Sequence, residues 1–530
     1  MQYSNENLKT IFSQLVKDSL RYLPFDDSQD YILGLIFYKA VSDNVIREAY
    51  SLVNDDYVSG QHIDLNEAQN CYEQAMADEA ICGDLTQKLL DKLGCAIKPE
   101  LTFGAIYKKV QAKELKLELL REAFKDIEAS AGNTYAGLFA DFDVNSNKLG
   151  KEPADRNALL SGFINSLANI DFSLYPDDAL GDSYEYLIAQ YASMSGKVAG
   201  ESYTPKAVSQ LMARFVTLGK ETLYGFSVYD PCCGSGSLLL QIKNFINNSN
   251  DASCKQSIEY YGQELKNQTY NLARMNMMLN NVSNTCWHLN NGNTLAQDWP
   301  NEGQTKFDAC VVNPPYSQQY SADKTLLDDP RFSKYGVLPP YSKADYAFLL
   351  HGLYHLKDDG TMAIMLPPGV LFRGASEGKI RKALLDEGNI YAVIGLPAGI
   401  LYHTRIPTCI IVLKKNHTSK DVLFIDATQE FQKKRATIEL MPEHLDKIFK
   451  AYQERTNVEQ FAYLASYEEI VANDYRLNIS NYVDATESAI HVDLSSALAS
   501  LAQAQIEDKE IDKKLDFYLN KLELSLKGGR

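Results

Sequence analysis

The chain has no run of roughly 18 apolar residues, so no segment is expected to span a bilayer. Its first stretch, Met1 to Lys17, is polar and of mixed charge, and it lacks the basic-then-apolar order of a secretory signal. The nine cysteines are an odd number and scattered. Cys232 and Cys233 are adjacent, a spacing that suits neither an ordinary disulfide nor a C-x-x-C metal site. Together these absences lead to the expectation of a reducing cytoplasm. Internal repeats and low-complexity tracts are also missing, which sets aside solenoids and disordered arrays. The largest shortage is of positive charge: 52 Lys and Arg stand against 69 Asp and Glu, a net charge of −17. A protein that grips DNA unaided usually carries a basic face, because phosphate neutralisation supplies most non-specific affinity. This chain as a whole would repel DNA. Either its basic residues are concentrated locally or a partner supplies the grip.

What is present suffices for a large core, since hydrophobic residues make up 45% of the 530. That length corresponds to roughly three typical units, of which a large α/β core can absorb two. Residues 1–155 read as a helical domain. Segments such as Tyr31–Tyr50 and Glu114–Ala129 place apolar residues at three- and four-residue steps, with little Gly or Pro. Asn145, Asn147, Gly150 and Pro153 break the pattern and set the boundary. Over 156–485 strands alternate with helices, as in a doubly wound parallel sheet. Expected strands are Phe226–Asp230, Ile258–Gln263, Phe307–Val312, Thr361–Leu366, Ile390–Gly395 and Thr408–Leu413; expected helices are Pro205–Leu218, Ser237–Asn247, Asn267–Leu279, Ala344–Leu356 and Gly378–Asp386. The short link between the last two strands predicts a hairpin at the end of the sheet. Residues 486–530 read as a helical tail, with Leu494, Leu498, Leu501, Ile511, Leu515, Tyr518 and Leu522 at helical steps. Such a stripe packs either on its own domain or on a helix of a partner.

The chemistry-bearing motif is Asn313-Pro314-Pro315-Tyr316, directly after the apolar strand Phe307–Val312. In an α/β sheet that is the carboxyl end of a strand, where ligands bind. The exocyclic amine of adenine is a poor nucleophile because its lone pair is delocalised into the ring. Acceptors on both N–H groups localise that pair, and the Asn313 side-chain oxygen and the Pro314 carbonyl are the two candidates. The prolines stiffen the stretch and remove competing donors. Tyr316 offers a flat face for a base turned out of the duplex. No strong general base is required, because the methylated amine sheds its proton afterwards. A proline turn after a buried strand is the plain alternative.

A second motif, Asp230-Pro231-Cys232-Cys233-Gly234-Ser235-Gly236-Ser237, lies between a strand and a helix. Its glycines permit a sharp turn and close approach of backbone to a ligand. It lacks the Walker lysine, which argues against a nucleoside triphosphate. Asp230, Cys232, Gly234, Ser235, Gly236 and Ser237 are therefore candidate cofactor contacts, with the thiols read as small packing groups rather than nucleophiles. Glu264 closes the next strand, a position suited to bonding both hydroxyls of a ribose. Asn293, in Asn291-Gly292-Asn293-Thr294 after a third strand, can face the cofactor's adenine or simply form a turn. His351 and His355 are four apart on a helix, but there is no His-Glu-x-x-His and no third ligand in view, so no metal is expected. Arg331, Lys334 and Lys343 flank a Pro-rich stretch that reads as a solvated loop or as a flap touching phosphates.

In this order the motifs resemble the modification (M) subunit of type I restriction-modification systems, a γ-class N6-adenine methyltransferase. The resemblance covers nearly the whole chain. Tyr31–Lys39 is similar to the family's first helical signature, and Tyr203-Thr204-Pro205 to the segment closing over the methionine end of the cofactor. Thr361–Arg373, Ile394–Leu413 and Asn478–Val483 are also family-like. The chain departs in having Asn293 where the family often has an acid, and Leu401, with Tyr402 beside it, where it often has an aromatic for the target base. The resemblance implies a Rossmann-like S-adenosylmethionine-dependent methyltransferase fold and transfer of a methyl group to adenine N6 in DNA. It implies as partners a specificity (S) subunit, a second M subunit, restriction (R) subunits and double-stranded DNA, and no membrane. The S subunit would then explain how an acidic M subunit reaches DNA. The competing readings are a methyltransferase for a protein amide or RNA base, and an assembly protein that has lost activity. The helical flanks argue against the first, and the intact Asp230–Gly236, Glu264 and Asn313–Tyr316 against the second.

Overall fold

The computed structural model describes residues 3–54, 56–57, 61–130, 134–194, 203–246, 258–300, 305–401, 406–434, 438–484 and 494–521. The chain divides into two units, Met1–Val483 and Asp484–Arg530. No helix among the described residues is long and apolar enough to cross a membrane.

The first unit begins with helices α1 (Asn5–Ser19), α2 (Phe25–Val53), α3 (Leu65–Ala77), α4 (Cys82–Leu93), α5 (Phe103–Gln111), α6 (Leu117–Ser130), α7 (Pro153–Ala168) and α8 (Ala179–Met194). Helix α2 is buried on nearly every side from Tyr31 to Ser42, which makes it the central post. Its buried Lys39 is satisfied one turn on by Asp43, at 2.7 Å. Phe124 stacks on Phe139 and meets Phe142 edge-on beside it. Helix α7 spans the expected boundary at 155 and α8 lies beyond it; they send Leu160, Phe163, Tyr184 and Tyr191 into this same core.

The sheet has nine strands in the order β11-β8-β6-β7-β5-β4-β1-β2-β3. They are β1 (Phe226–Asp230), β2 (Ile258–Glu264), β3 (Trp287–Asn291), β4 (Phe307–Val312), β5 (Leu356–Leu366), β6 (Ile390–Leu396), β7 (Thr408–Lys414), β8 (Val422–Asp426) and β11 (Ala462–Ala465), while β9 (Gln432–Lys433) and β10 (Ile438–Glu439) form a separate ribbon. All six expected strands form. The hairpin of β6 and β7 forms too, but it does not end the sheet. β7 inserts antiparallel between β5 and β6, and β8 then adds parallel to β6. The cause is burial: β6 and β7 are apolar on both faces, so neither tolerates an open edge.

One face of the sheet is covered by α9 (Lys206–Thr217), α10 (Ser237–Leu240), α11 (Lys243–Ile246) and, further along the chain, α15 (Pro442–Glu454). The other is covered by α13 (Asp345–Tyr354) and α14 (Ala375–Asp386), with Ile470 of α16 (Tyr467–Ala472). The single helix expected over 237–247 is broken at Gln241, which is buried and exchanges hydrogen bonds with Glu185 and Asn244; Asn247 lies outside the described residues. Helix α12 (Asn267–Leu279) joins the two cores. Met277 faces the sheet core, and Met275 and Leu279 enter the helical one. Buried Arg274 secures this junction by donating to the carbonyls of Ala136 and Thr134 at 2.9 and 2.7 Å. In Asn478–Val483, Tyr482 stacks on Phe424 of β8 at 4.0 Å.

The second unit contains α17 (Leu494–Lys521). Leu501, Ile511, Leu515 and Tyr518 of its stripe are exposed. The side chains of Leu494 and Leu498, and Leu522 altogether, lie outside what is described.

Candidate active site

β1 and β4 are parallel neighbours at the middle of the sheet. From β1 the chain winds outward through β2 and β3, and from β4 it winds the opposite way through β5. Loops leaving such adjacent strands diverge and open a crevice at the carboxyl ends. The topology places Asp230–Ser237 and Asn313–Tyr316 beside one another at these ends.

The loop after β1 is shaped by its backbone. Gly234 and Gly236 have φ of 55° and 77°, in the left-handed region that favours glycine. The Cys232 N–H donates to Asp230 Oδ1 at 2.9 Å, and the Gly234 N–H donates to Glu264 Oε2 at 3.2 Å. The strand-end acid is thereby tied to the glycine turn. Thr294 Oγ1 donates to the Pro231 carbonyl at 2.5 Å, which brings Asn293 to the same loop. Asn293 is exposed, and its side-chain oxygen accepts from the Leu295 N–H at 3.1 Å. At the start of α10 the Ser235 and Ser237 hydroxyls are 3.1 Å apart, and Asn276 donates to the Ser235 carbonyl at 3.0 Å.

The acids here are held above their ordinary range. Burial pushes Asp230 up to about 8, although the Cys232 N–H opposes it. Burial likewise raises Glu264, against the N–H groups of Lys266 and Gly234. Beside Ser237, burial raises Glu185 of α8 to about 7, against Lys206 and the Ser237 and Asn276 side chains. Burial also raises the Cys232 and Cys233 thiols far above their usual value, so they pack rather than attack. This surrounding fits S-adenosylmethionine. The Glu264 carboxylate can accept from ribose hydroxyls, acids short of cations suit a sulfonium, and no atom lies within 4 Å of where a Cβ on Gly234 would stand.

The loop after β4 is shaped by side chains. Asn313 Nδ2 donates to Thr204 Oγ1 at 2.8 Å, and the Tyr316 hydroxyl donates to Asn313 Oδ1 at 3.0 Å. Pro314 is buried. Burial, with Cys409 and Asp345 nearby, holds the Tyr316 hydroxyl far above its usual pKa, so it stays protonated. Ser317 has φ of 52°, and its N–H donates to Asp345 Oδ1 at 2.8 Å. Asp345 is completely buried and binds Arg373 at 2.6 Å; Arg373 in turn binds Glu377. Reading the sequence did not assign these three residues. The available signal was Arg373 and Glu377 four apart at a helix start.

The remaining candidates have packing or ion partners of their own. Pro205 caps α9, and Tyr203 packs against the helical core. Arg331 is not available to a phosphate. It is 3% exposed and donates to the Thr294 carbonyl at 2.9 Å and His351 Nδ1 at 3.1 Å, with Asp329 as its ion partner. A Pro-rich loop conceals this, because the pocket that takes the guanidinium comes from distant segments. His351 and His355 join that network through Tyr229 (2.9 Å) and Asp298 (2.8 Å) respectively. Burial drives His351 well below its usual pKa, so it remains neutral. Lys334 pairs with Glu387. Leu401 is buried, and Tyr402 lies outside the described residues.

A glycine turn after β1, an acid closing β2 and Asn-Pro-Pro-Tyr after β4 define a Rossmann-like methyltransferase that acts on an amine. Comparisons with known proteins narrow the class. Residues 176–490 match the N-6 DNA Methylase family, and residues 11–167 match the HsdM N-terminal domain. The type I restriction enzyme MpnII methylase subunit of Mycoplasma pneumoniae is 33% identical over 511 residues, 92% of this chain and 91% of the relative. The MjaVIII methylase subunit of Methanocaldococcus jannaschii is 30% identical, over 93% of this chain and 79% of its own length. The crystal structure of a type I restriction-modification methyltransferase subunit from Streptococcus thermophilus superposes with a TM-score of 0.85 at 45% identity, covering 91% of this chain and 100% of that one. The chain belongs to the methylase subunits of type I restriction enzymes. It is an adenine-specific DNA methyltransferase, and its methyl donor is S-adenosylmethionine.

Proposed function

We propose that Asn313–Tyr316 receives the target adenine while Tyr203–Pro205, Asp230–Ser237, Glu264 and Asn293 hold the cofactor. The observation that carries this reading is the Asn313 amide, fixed between Thr204 and Tyr316 on the crevice shared with the loop after β1. Asn313 Oδ1 and the Pro314 carbonyl accept the two N–H groups of adenine N6 and localise its lone pair. An amide oxygen accepts two hydrogen bonds, so Tyr316 and the amine can share it. The Tyr316 ring supplies the stacking face. The bound cofactor supplies an electrophilic methyl on a cationic sulfonium. Glu264 orients its ribose, and the buried acids favour its charge. The proton left on the methylated amine passes to solvent without a protein base.

The chain works as one of two modification subunits around a specificity subunit, with restriction subunits able to join, on double-stranded DNA in the cytoplasm. Its charge of −17 supports this division of labour, because sequence reading and most phosphate contact fall to the specificity subunit. The exposed Leu501, Ile511, Leu515 and Tyr518 of α17 are the surface for that subunit's helices. The test is transfer of labelled methyl from S-adenosylmethionine to DNA with and without the specificity subunit. Methyl-adenine is expected only with it. Robust, sequence-specific methylation by this chain alone would overturn the division of labour.

A further inference from the structure

An asparagine amide has two unlike ends, and only one of them serves this reaction. The oxygen can accept from an amine, whereas the NH₂ would set donor against donor. The two orientations differ by a half-turn about the last side-chain bond, a torsion with broad, roughly two-fold preferences. Something must therefore settle which way round Asn313 lies. Its Nδ2 donates to Thr204 Oγ1 at 2.8 Å, and its Oδ1 accepts from Tyr316 at 3.0 Å. Either hydroxyl can donate or accept. They are not equal, however: a phenol, with a pKa near 10, is the better donor, and an aliphatic hydroxyl the better acceptor. The observed arrangement uses each in its stronger role, and the flipped amide would reverse both. Thr204 is 8% exposed, so water competes little for its hydroxyl, and the Ser209 side chain and the Ser209 N–H, at Thr204 and Pro205, anchor the turn that carries it.

We propose that Thr204 is a positioning residue, which by accepting the Asn313 Nδ2–H fixes the amide with its oxygen toward the target amine. This rests on the reading of Asn313 as the amine's acceptor. It also gives the side chain of a segment similar to the cofactor-closing one a task in the methyl-transfer step rather than in cofactor grip. The Thr204 side chain acts through Asn313, which leaves the backbone of Tyr203–Pro205 to close on the cofactor, so loss of the side chain should appear in turnover and not in cofactor affinity.

The experiment compares T204V, T204S and N313A in the chain assembled with its specificity subunit. Turnover on DNA is measured at saturating cofactor, and cofactor affinity by calorimetry. Valine keeps the shape and removes the acceptor; serine keeps the acceptor. Losing one buried hydrogen bond at the reacting amide should lower kcat in T204V roughly 10- to 100-fold. Its cofactor Kd should stay within about 2-fold, and T204S should recover most of the turnover. Should T204V melt well below the parent, T204A carries the same expectations. Turnover near the parent's in T204V, or a Kd that worsens as much as kcat falls, overturns the role of Thr204 while an inactive N313A leaves the site assignment standing. An active N313A overturns that assignment, and the proposal with it.

Discussion

Around the loop after β1 the buried acids Asp230 and Glu185 form no ion pair among the described residues, and burial lifts them to about 8 and about 7. Beneath the loop after β4, Asp345 and Glu377 are just as buried, yet both bind Arg373, whose own pKa their carboxylates raise. The two sides of one crevice thus treat charge in opposite ways. On the proposed reading the first side is the cofactor's, and its acids, without a cation among the described residues, carry a cost that a sulfonium ligand would offset. The other side neutralises itself through Arg373, which on the proposed reading makes a stiff mount for a neutral adenine. Affinity for the cofactor and turnover of the base should therefore separate cleanly under mutation.

The largest effect should come from Asn313→Ala. Removing a donor or acceptor that acts on the reacting group typically costs 10²- to 10³-fold, so labelled-methyl transfer should fall by about 1,000-fold. Calorimetry should find the cofactor Kd within about 2-fold of the parent; loss of binding would show that the two sides are not separable. Next, Arg373→Ala leaves Asp345 and Glu377 buried without a cation and should destabilise the fold by about 3 kcal/mol. This is read as a lower urea midpoint with unchanged slope. A smaller effect, roughly 10-fold weaker cofactor binding at unchanged kcat, is expected for Glu264→Gln. Because burial raises Glu264, its carboxylate protonates at higher pH than an ordinary glutamate. Parent affinity should accordingly fall as pH drops toward the acid range, with E264Q showing a flatter profile. The smallest change concerns Glu185→Gln. A carboxyl raised to about 7 from an ordinary 4.5 binds more protons folded than unfolded. The stability it contributes is full below pH 4.5 and is lost as pH rises through 7. E185Q should therefore gain on the order of 1 kcal/mol over the parent at pH 8 and nothing near pH 4. An equal difference at both pH values would assign the effect to packing.

Both loops were legible in the sequence because each combines a short apolar strand with residues of special backbone or side-chain chemistry. The strands without such neighbours were harder to read. β3 begins with Trp287 but continues His288-Leu289-Asn290-Asn291, half-buried and polar, so its bounds carried no signal. β11 is four residues at a sheet edge. Arg331 read as part of a solvated loop or a flap because its partners, Thr294 and His351, lie 37 and 20 residues away. The Thr204–Asn313 bond spans 109 residues, and only the fold brings its ends together. The same is true of the Asp345–Arg373 clamp, whose members look like ordinary helix-start charges until burial is known.

The strand order also has a kinetic consequence. β1 must wait for β4, some 81 residues later at the Ser227–Asp308 contact, before its second edge is covered. β6 reaches the rest of the sheet only through β7, which pairs with β5. Closing such loops costs entropy before any contact rewards it, so these pairings belong to the slow part of folding. On the ribosome the first half of the sheet emerges with its central edge open. The loop after β1 meets the loop after β4 only once β4 pairs with β1.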